Sequence, residues 1–144
     1  MEARETSRVR PDAEVAEAAA NAFGRALTDG AFDDFVGLLT DDVQYEAPSV
    51  LHHTVMKLNG PGEVRRYLEA SATEYEDLVV VPDEVRDLGG GRFLLVGRWR
   101  AKPTQSAVAF ATPLAAVLDV SDGKVVQLRA FFDEQLAIDA ARRD

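Results

Sequence analysis

Hydrophobic positions change their spacing once along this chain, from helical in the first half to strand-like in the second. Val15, Ala19, Ala22, Phe23, Ala26 and Leu27 recur at three- and four-residue steps and predict an amphipathic helix after Pro11. Asp12 is placed to cap it, Glu14 and Glu17 lie near its positive end, and "TDG" at 28–30 stops it. A second short helix carries Phe32, Phe35, Val36 and Leu39 on one face. In "DDVQYEAP" Val43, Tyr45 and Ala47 share one side of a short strand, which Pro48 ends. A loop carrying "VLHHT" leads to "NGPGEVRRYLEASATEY". That segment predicts a third helix with Pro61 in its first turn and Val64, Tyr67, Leu68 and Tyr75 on one side.

From Leu78 onward the pattern is that of strands. "LVVVPDEVRDL" is broken by Pro82 and reads as a bent or edge strand. "GGG" at 89–91 turns into "RFLLVGRWRA", and "KPTQS" turns into "AVAFATPLAAVLDV". "SDGK" at 121–124 is a hairpin signal that returns the chain as "VVQLRAFFD", and "EQLAIDAARR" is helical. Helices first and antiparallel strands after predict an α+β fold. N-terminal helices would pack on a strongly curved, mainly antiparallel sheet that forms a cone-shaped pocket.

Composition narrows the class. A chain of 144 residues fits one domain, here 12–144, behind a flexible, charge-alternating arm at 1–11. Sixteen basic against twenty-five acidic residues give a formal charge of −9, which argues against nucleic acid as a partner. There is no cysteine, and the two histidines lack the spacing of a metal site, so neither metal nor cofactor is expected. No apolar run reaches the roughly 20 residues of a membrane span, and the start has no secretory pattern; a cytoplasmic protein is the expectation.

The stretch "EVRDLGGGRFLLVGRWRA…TPLAAVLDVSDGKVVQLRAFFDEQLAIDAA" resembles the SnoaL-like branch of the nuclear transport factor 2-like superfamily. "TDGAFDDFVGLLTDDVQYEAP" resembles the helix-helix-strand opening of the same superfamily. The resemblance covers roughly residues 12–142 and implies the cone fold; the superfamily hosts many activities. "GKVVQLRAFF" resembles the last strand of ketosteroid isomerases. Their catalytic tyrosine, base aspartate and protonated aspartate would fall on Phe23, Ala47 and Ala115. The histidine and aspartate of polyketide cyclases would fall on Ala116 and Ala130. Neither inherited mechanism survives those residues. The same alignment implies that Tyr45, Val117, Leu128 and Phe132 point into the cone, and that Gln127 and Arg129 face away. Trp99 is placed inward with Phe93 and Leu95, opposite Leu94, Val96, Arg98 and Arg100.

The remaining candidates each have a structural alternative. His52 or His53 is a possible general base, though adjacent loop side chains diverge and a surface position is the simpler reading. Tyr45 suits hydrogen bonding to a carbonyl or hydroxyl, or is a packed core tyrosine. Tyr67 follows helical spacing and belongs to pocket or core, and Trp99 with Phe132 makes an aromatic wall or ordinary packing. Asp133 is either an acid at the strand end or the cap of the last helix. Arg98, Arg100 and Arg129 read as an anion site or, better, as an ion-paired face or a homodimer interface.

Three functions fit. The first is a proton-transfer enzyme acting on a small apolar metabolite, of isomerase, cyclase, dehydratase or hydrolase type, with Tyr45 and one histidine as the acid–base pair. The second is a non-catalytic ligand binder, and the third is a dimerisation module of the same fold.

Overall fold

The computed structural model describes residues 11–49, 54–103, 110–131 and 133–143. Helices α1 (Asp12–Asp29) and α2 (Phe32–Val36) lead into strands β1 (Leu39–Ser49) and β2 (Thr54–Asn59). Helix α3 (Pro61–Glu74) passes directly into β3 (Tyr75–Gly89). Strands β4 (Arg92–Pro103), β5 (Phe110–Ser121) and β6 (Lys124–Phe131) and helix α4 (Glu134–Arg143) follow. The six strands form one open, mixed sheet in the order β2-β1-β6-β5-β4-β3. Only β1 and β6 run parallel; the other neighbours are antiparallel. The α+β class expected from the sequence is the one found.

Two apolar layers divide the sheet's faces. The inner face packs under α1, α2 and α3, where Val15, Phe23, Phe35, Val64 and Leu68 meet Tyr45, Leu95, Leu118 and Leu128. The outer face is partly covered by α4, whose Ala137 packs on Leu94, Ala115 and Val117. The sequence does not assign α4 to a face. That helix makes both sides of β5 apolar, and so removes the alternation by which a half-exposed strand announces its phase.

Several local expectations change. Asp12 is not the cap of α1: Pro11 is, in extended conformation, and its carbonyl accepts the N–H groups of Glu14 and Val15 at 2.9 and 3.2 Å. Asp12 is therefore the first helical residue, still favourably placed at the positive end. Leu39 is not helical, because α2 stops at Val36 and Leu39 pairs with Val125 of β6. Pro48 does not end β1, which continues to Ser49 beside β2. Its ladder with β6 stops at Glu46, so the proline takes no donor from that side. Part of the supposed loop is strand β2, an edge on which Leu58 opposes Tyr45 and Met56 opposes Ala47. Tyr75 is not on the third helix but opens β3, held edge-on against Trp99 with ring centroids 5.6 Å apart.

Turn chemistry matches the sequence more closely. Gly30 closes α1 in the left-handed conformation, with its N–H bonded to the Ala26 carbonyl at 3.0 Å. Asp122 and Gly123 both have positive φ, 54° and 81°, as a two-residue type I′ hairpin requires. β3 is the edge strand anticipated from Pro82, and its register slips between Pro82 and Glu84. The slip places Val85, rather than Glu84, opposite Leu95 and against the inner core.

Candidate functional site

The inner face carries Tyr45 at its centre. The residue comes from the part of β1 flanked by both β2 and β6, where it pairs with Leu58 on one side and Leu128 on the other. It is 2% exposed and packed in the inner core. Tyr67, from α3, lies over it with ring centroids 5.8 Å apart and planes tilted by 53°. Burial pushes the Tyr45 phenol far above the ordinary tyrosine range, and the Tyr67 hydroxyl adds to the effect. Burial also raises Tyr67, against the opposing effect of a hydrogen bond with Ser71. Both phenols therefore keep their protons at neutral pH and present O–H donors. They are poor bases.

Phe23, Tyr45, Ala47, Tyr67, Trp99, Leu128 and Ala130 all belong to the inner layer, as the sequence suggested for the cone. Ala115 and Val117 do not. They lie beneath α4 on the opposite face, and their places are taken by Ala116, which pairs with Ala130, and Leu118, which pairs with Leu128. The alignment of β5 was out of phase by one residue because "LAAVL" is apolar at every position. The chemical consequence is unchanged: Ala116 supplies no acid or base either. The sequence reading also missed Leu58, which only pairing with Tyr45 reveals, and the inward role of Tyr75 beside Trp99.

His52, His53 and Phe132 lie outside the described residues, as do residues 1–10 of the expected arm. Asp133 is the cap of α4. Its Oδ1 accepts the N–H groups of Gln135 at 2.6 Å and Leu136 at 3.1 Å, which commits one carboxylate oxygen to the helix start. Among the described residues, no three His, Asp or Glu side chains gather as a metal-binding group. Nor is any described helix long and apolar enough to cross a membrane. Arg129 is the one charged residue buried among those described, at 8% exposure, and it faces outward, opposite Val117.

Beyond the reach of α4, the outer face holds an open groove of about 530 Å³ between β3, β4 and β5. Val79, Val81, Ala111 and Pro113 floor it, and Arg98 and Arg100 flank it. Arg98 is bound through two nitrogens to Asp83 at 2.9 and 3.0 Å, which holds the Asp83 carboxyl below its usual range. Both partners are exposed, so the pair adds orientation more than stability.

Comparison with known proteins agrees with this architecture. The family model described as "SnoaL-like domain" matches residues 20–128. No curated protein matches the chain. Among solved structures, the chain is similar to a putative polyketide cyclase from Xanthomonas campestris pv. campestris. That pair shares 16% identity at a TM-score of 0.68, covering 88% of this chain and 96% of the other. It is also similar to a hypothetical protein of ketosteroid isomerase-like fold from Catenulispora acidiphila, solved in complex with trimethylamine. There the identity is 13% and the TM-score 0.69, over 84% of this chain and 89% of the other. TerC, co-crystallised with polyporic acid, gives 15% identity and a TM-score of 0.70, over 94% and 100% of the two chains. At these identities the likeness is one of fold.

Proposed function

This chain belongs to the SnoaL-like domain family, and we propose that it binds a small, mainly apolar molecule against the inner face of its sheet. Tyr45 carries the proposal. Its protonated phenol puts one polar donor group in the middle of an otherwise apolar inner layer, the pairing that suits a mainly apolar molecule with one polar atom. The aromatic and aliphatic surroundings of Tyr67, Trp99, Leu128 and Ala130 suit an apolar body. That related folds were crystallised with trimethylamine and polyporic acid supports a ligand role for this scaffold. The net charge of −9 supports a partner other than nucleic acid.

Nile red, a neutral apolar dye, tests the site. It should bind the wild-type chain with an affinity on the order of micromolar, worth about 8 kcal/mol. Ala130→Phe, which fills the inner face, should weaken binding roughly tenfold or more, while Ala111→Phe in the outer groove should not. Unchanged binding to the Ala130 variant would remove the inner face as the site.

Proton-transfer catalysis is the second reading. β1 ends at Ser49 and β2 begins at Thr54, so residues 50–53 join the strand that carries Tyr45 to its neighbour. No acid or base is buried on the inner face among the described residues. The base would therefore be His52 or His53, with Tyr45 as the donor.

We further propose a homodimer built on the outer groove. Val81 is 38% exposed there, and the Arg98–Asp83 pair offers both signs of charge, as a two-fold interface needs. Light scattering should give twice the chain mass, and Val81→Glu combined with Arg100→Glu should give a folded monomer. A wild-type monomer at micromolar concentration would end this proposal.

A further inference from the structure

We infer that the outer groove is a second ligand site, for a free aliphatic monoanion such as a medium-chain carboxylate, with the head on Arg100 and the tail on the groove's apolar floor. It lies on the opposite face of the sheet from Tyr45 and does not depend on the inner-face ligand.

Strand register sets Arg100 apart. Outward positions on β4 place Arg98 between Val81 of β3 and Pro113 of β5, and Arg100 between Val79 and Ala111. Arg98 reaches Asp83, donating from Nε and Nη2 to its two carboxylate oxygens at 2.9 and 3.0 Å. Arg100 has an apolar neighbour on each side instead, and among the described residues it makes no hydrogen bond or ion pair. In a chain with twenty-five acidic and sixteen basic residues, a cation left without an acid runs against the composition.

The surroundings define what Arg100 takes. A groove of about 530 Å³ is within the range of small-molecule sites, about 300–1,000 Å³. Val79, Val81, Ala111 and Pro113 supply apolar surface, and Val81 is 38% exposed, so a tail laid over them is favourable. The guanidinium fork matches a planar carboxylate, which accepts two of its N–H groups. One charge suffices: Arg98 is already engaged, and Asp83 with the overall charge of −9 repels a second negative group. An exposed ion pair is worth little alone. The tail therefore supplies the affinity, and Arg100 selects the sign of charge. The proposed homodimer needs the same walls, so ligand and second copy exclude one another.

Octanoate, octan-1-ol and acetate separate these effects, with methyl NMR spectra of the wild-type chain locating each probe. Octanoate should shift the Val79, Val81 and Ala111 methyl signals and leave those of Leu128 and Ala130 in place. Octanol should bind the groove roughly fivefold more weakly, the loss of one exposed ion pair, and acetate should give no shift. Arg100→Gln, an exposed substitution, should bring octanoate down to the affinity of octanol, whose own binding should not change. Arg100→Lys keeps the charge without the fork and should fall between. Light scattering on the same samples should show the mass dropping from twice the chain toward one as octanoate is added. Groove methyls that stay silent, shifts confined to Leu128 and Ala130, or octanoate binding undiminished in Arg100→Gln would overturn the inference; a mass that then stays at twice the chain would leave the homodimer standing. Shifted groove methyls with an unchanged mass would leave the ligand site standing and remove the second copy from the groove.

Discussion

Gly97→Ala should lower folding stability by about 3 kcal/mol, the upper end of the usual cost of overpacking a core. Gly97 lies on β4 opposite Pro82 of the edge strand β3. A Cβ there would overlap the Val81 carbonyl oxygen and stand 3.1 Å from the Pro82 Cα. Both are backbone atoms, so no side-chain rotation relieves the contact. From the other side, α1 presents Gly24 to the same proline, where a Cβ would be 3.1 Å from Pro82 Cδ and from the Val80 carbonyl. The bend in β3 is thus clasped between two residues without side chains, and Thr28 ties α1 to it by accepting the Val80 N–H at 3.0 Å. Gly24→Ala should cost less, about 1 kcal/mol, because the proline ring can shift by a few tenths of an ångström. Gly62→Ala, on the exposed first turn of α3, has nothing nearer than Arg66 at 3.7 Å and should stabilise slightly. Urea titrations with unchanged slope would give the order. A Gly97→Ala midpoint equal to wild type would show that β3 and β4 do not approach as described.

Ala47→Asp should cost about 3 kcal/mol at pH 7 and little at pH 3, a dependence set by the burial of the site. Ala47 is 4% exposed and sits beside Tyr45 on the inner face, at the position that resemblance assigns to the base of ketosteroid isomerases. A carboxyl placed there must be desolvated, with one phenol as a possible donor. Its folded-state pKa then rises above the unfolded value of about 3.9, by two units or more. The sign follows. Below the unfolded pKa the acid is neutral in both states and imposes no charge penalty. As pH climbs toward the raised folded pKa, the unfolded chain releases its proton first, and each unit of separation removes about 1.4 kcal/mol. Ala47→Asn has nearly the same shape and no charge, so its cost should be flat with pH. Parallel melting curves at both pH values, with the Asp and Asn variants alike throughout, would mean that position 47 is wet.

The positions that the resemblance assigns to catalytic groups stay without such groups through the one-residue correction on β5. Phe23, Ala47, Ala116 and Ala130 share the inner layer, and none can move a proton. Tyr45 remains as a neutral donor, which suits holding a ligand better than deprotonating one.

What the sequence determined by itself was local chemistry. Glycine after α1, Asp122-Gly123 in the last hairpin and Asp133 before α4 are legible because a turn or cap depends on the residue's own backbone and side chain. The family resemblance, rather than the pattern alone, implied that Leu128 faces inward and Arg129 outward on β6, and Trp99 was placed inward on β4, opposite Arg98 and Arg100; these are the faces found. Tertiary structure decided the rest. "LAAVL" on β5 has two possible phases because both its faces are covered, one by α1 and the other by α4. Val85 faces inward only because the strand slips a register at Pro82, and β2 exists only because β1 is there to pair with it. A hydrophobic pattern encodes a direction only where water lies on the other side. Where protein lies on both, the choice passes to neighbours that are distant along the chain.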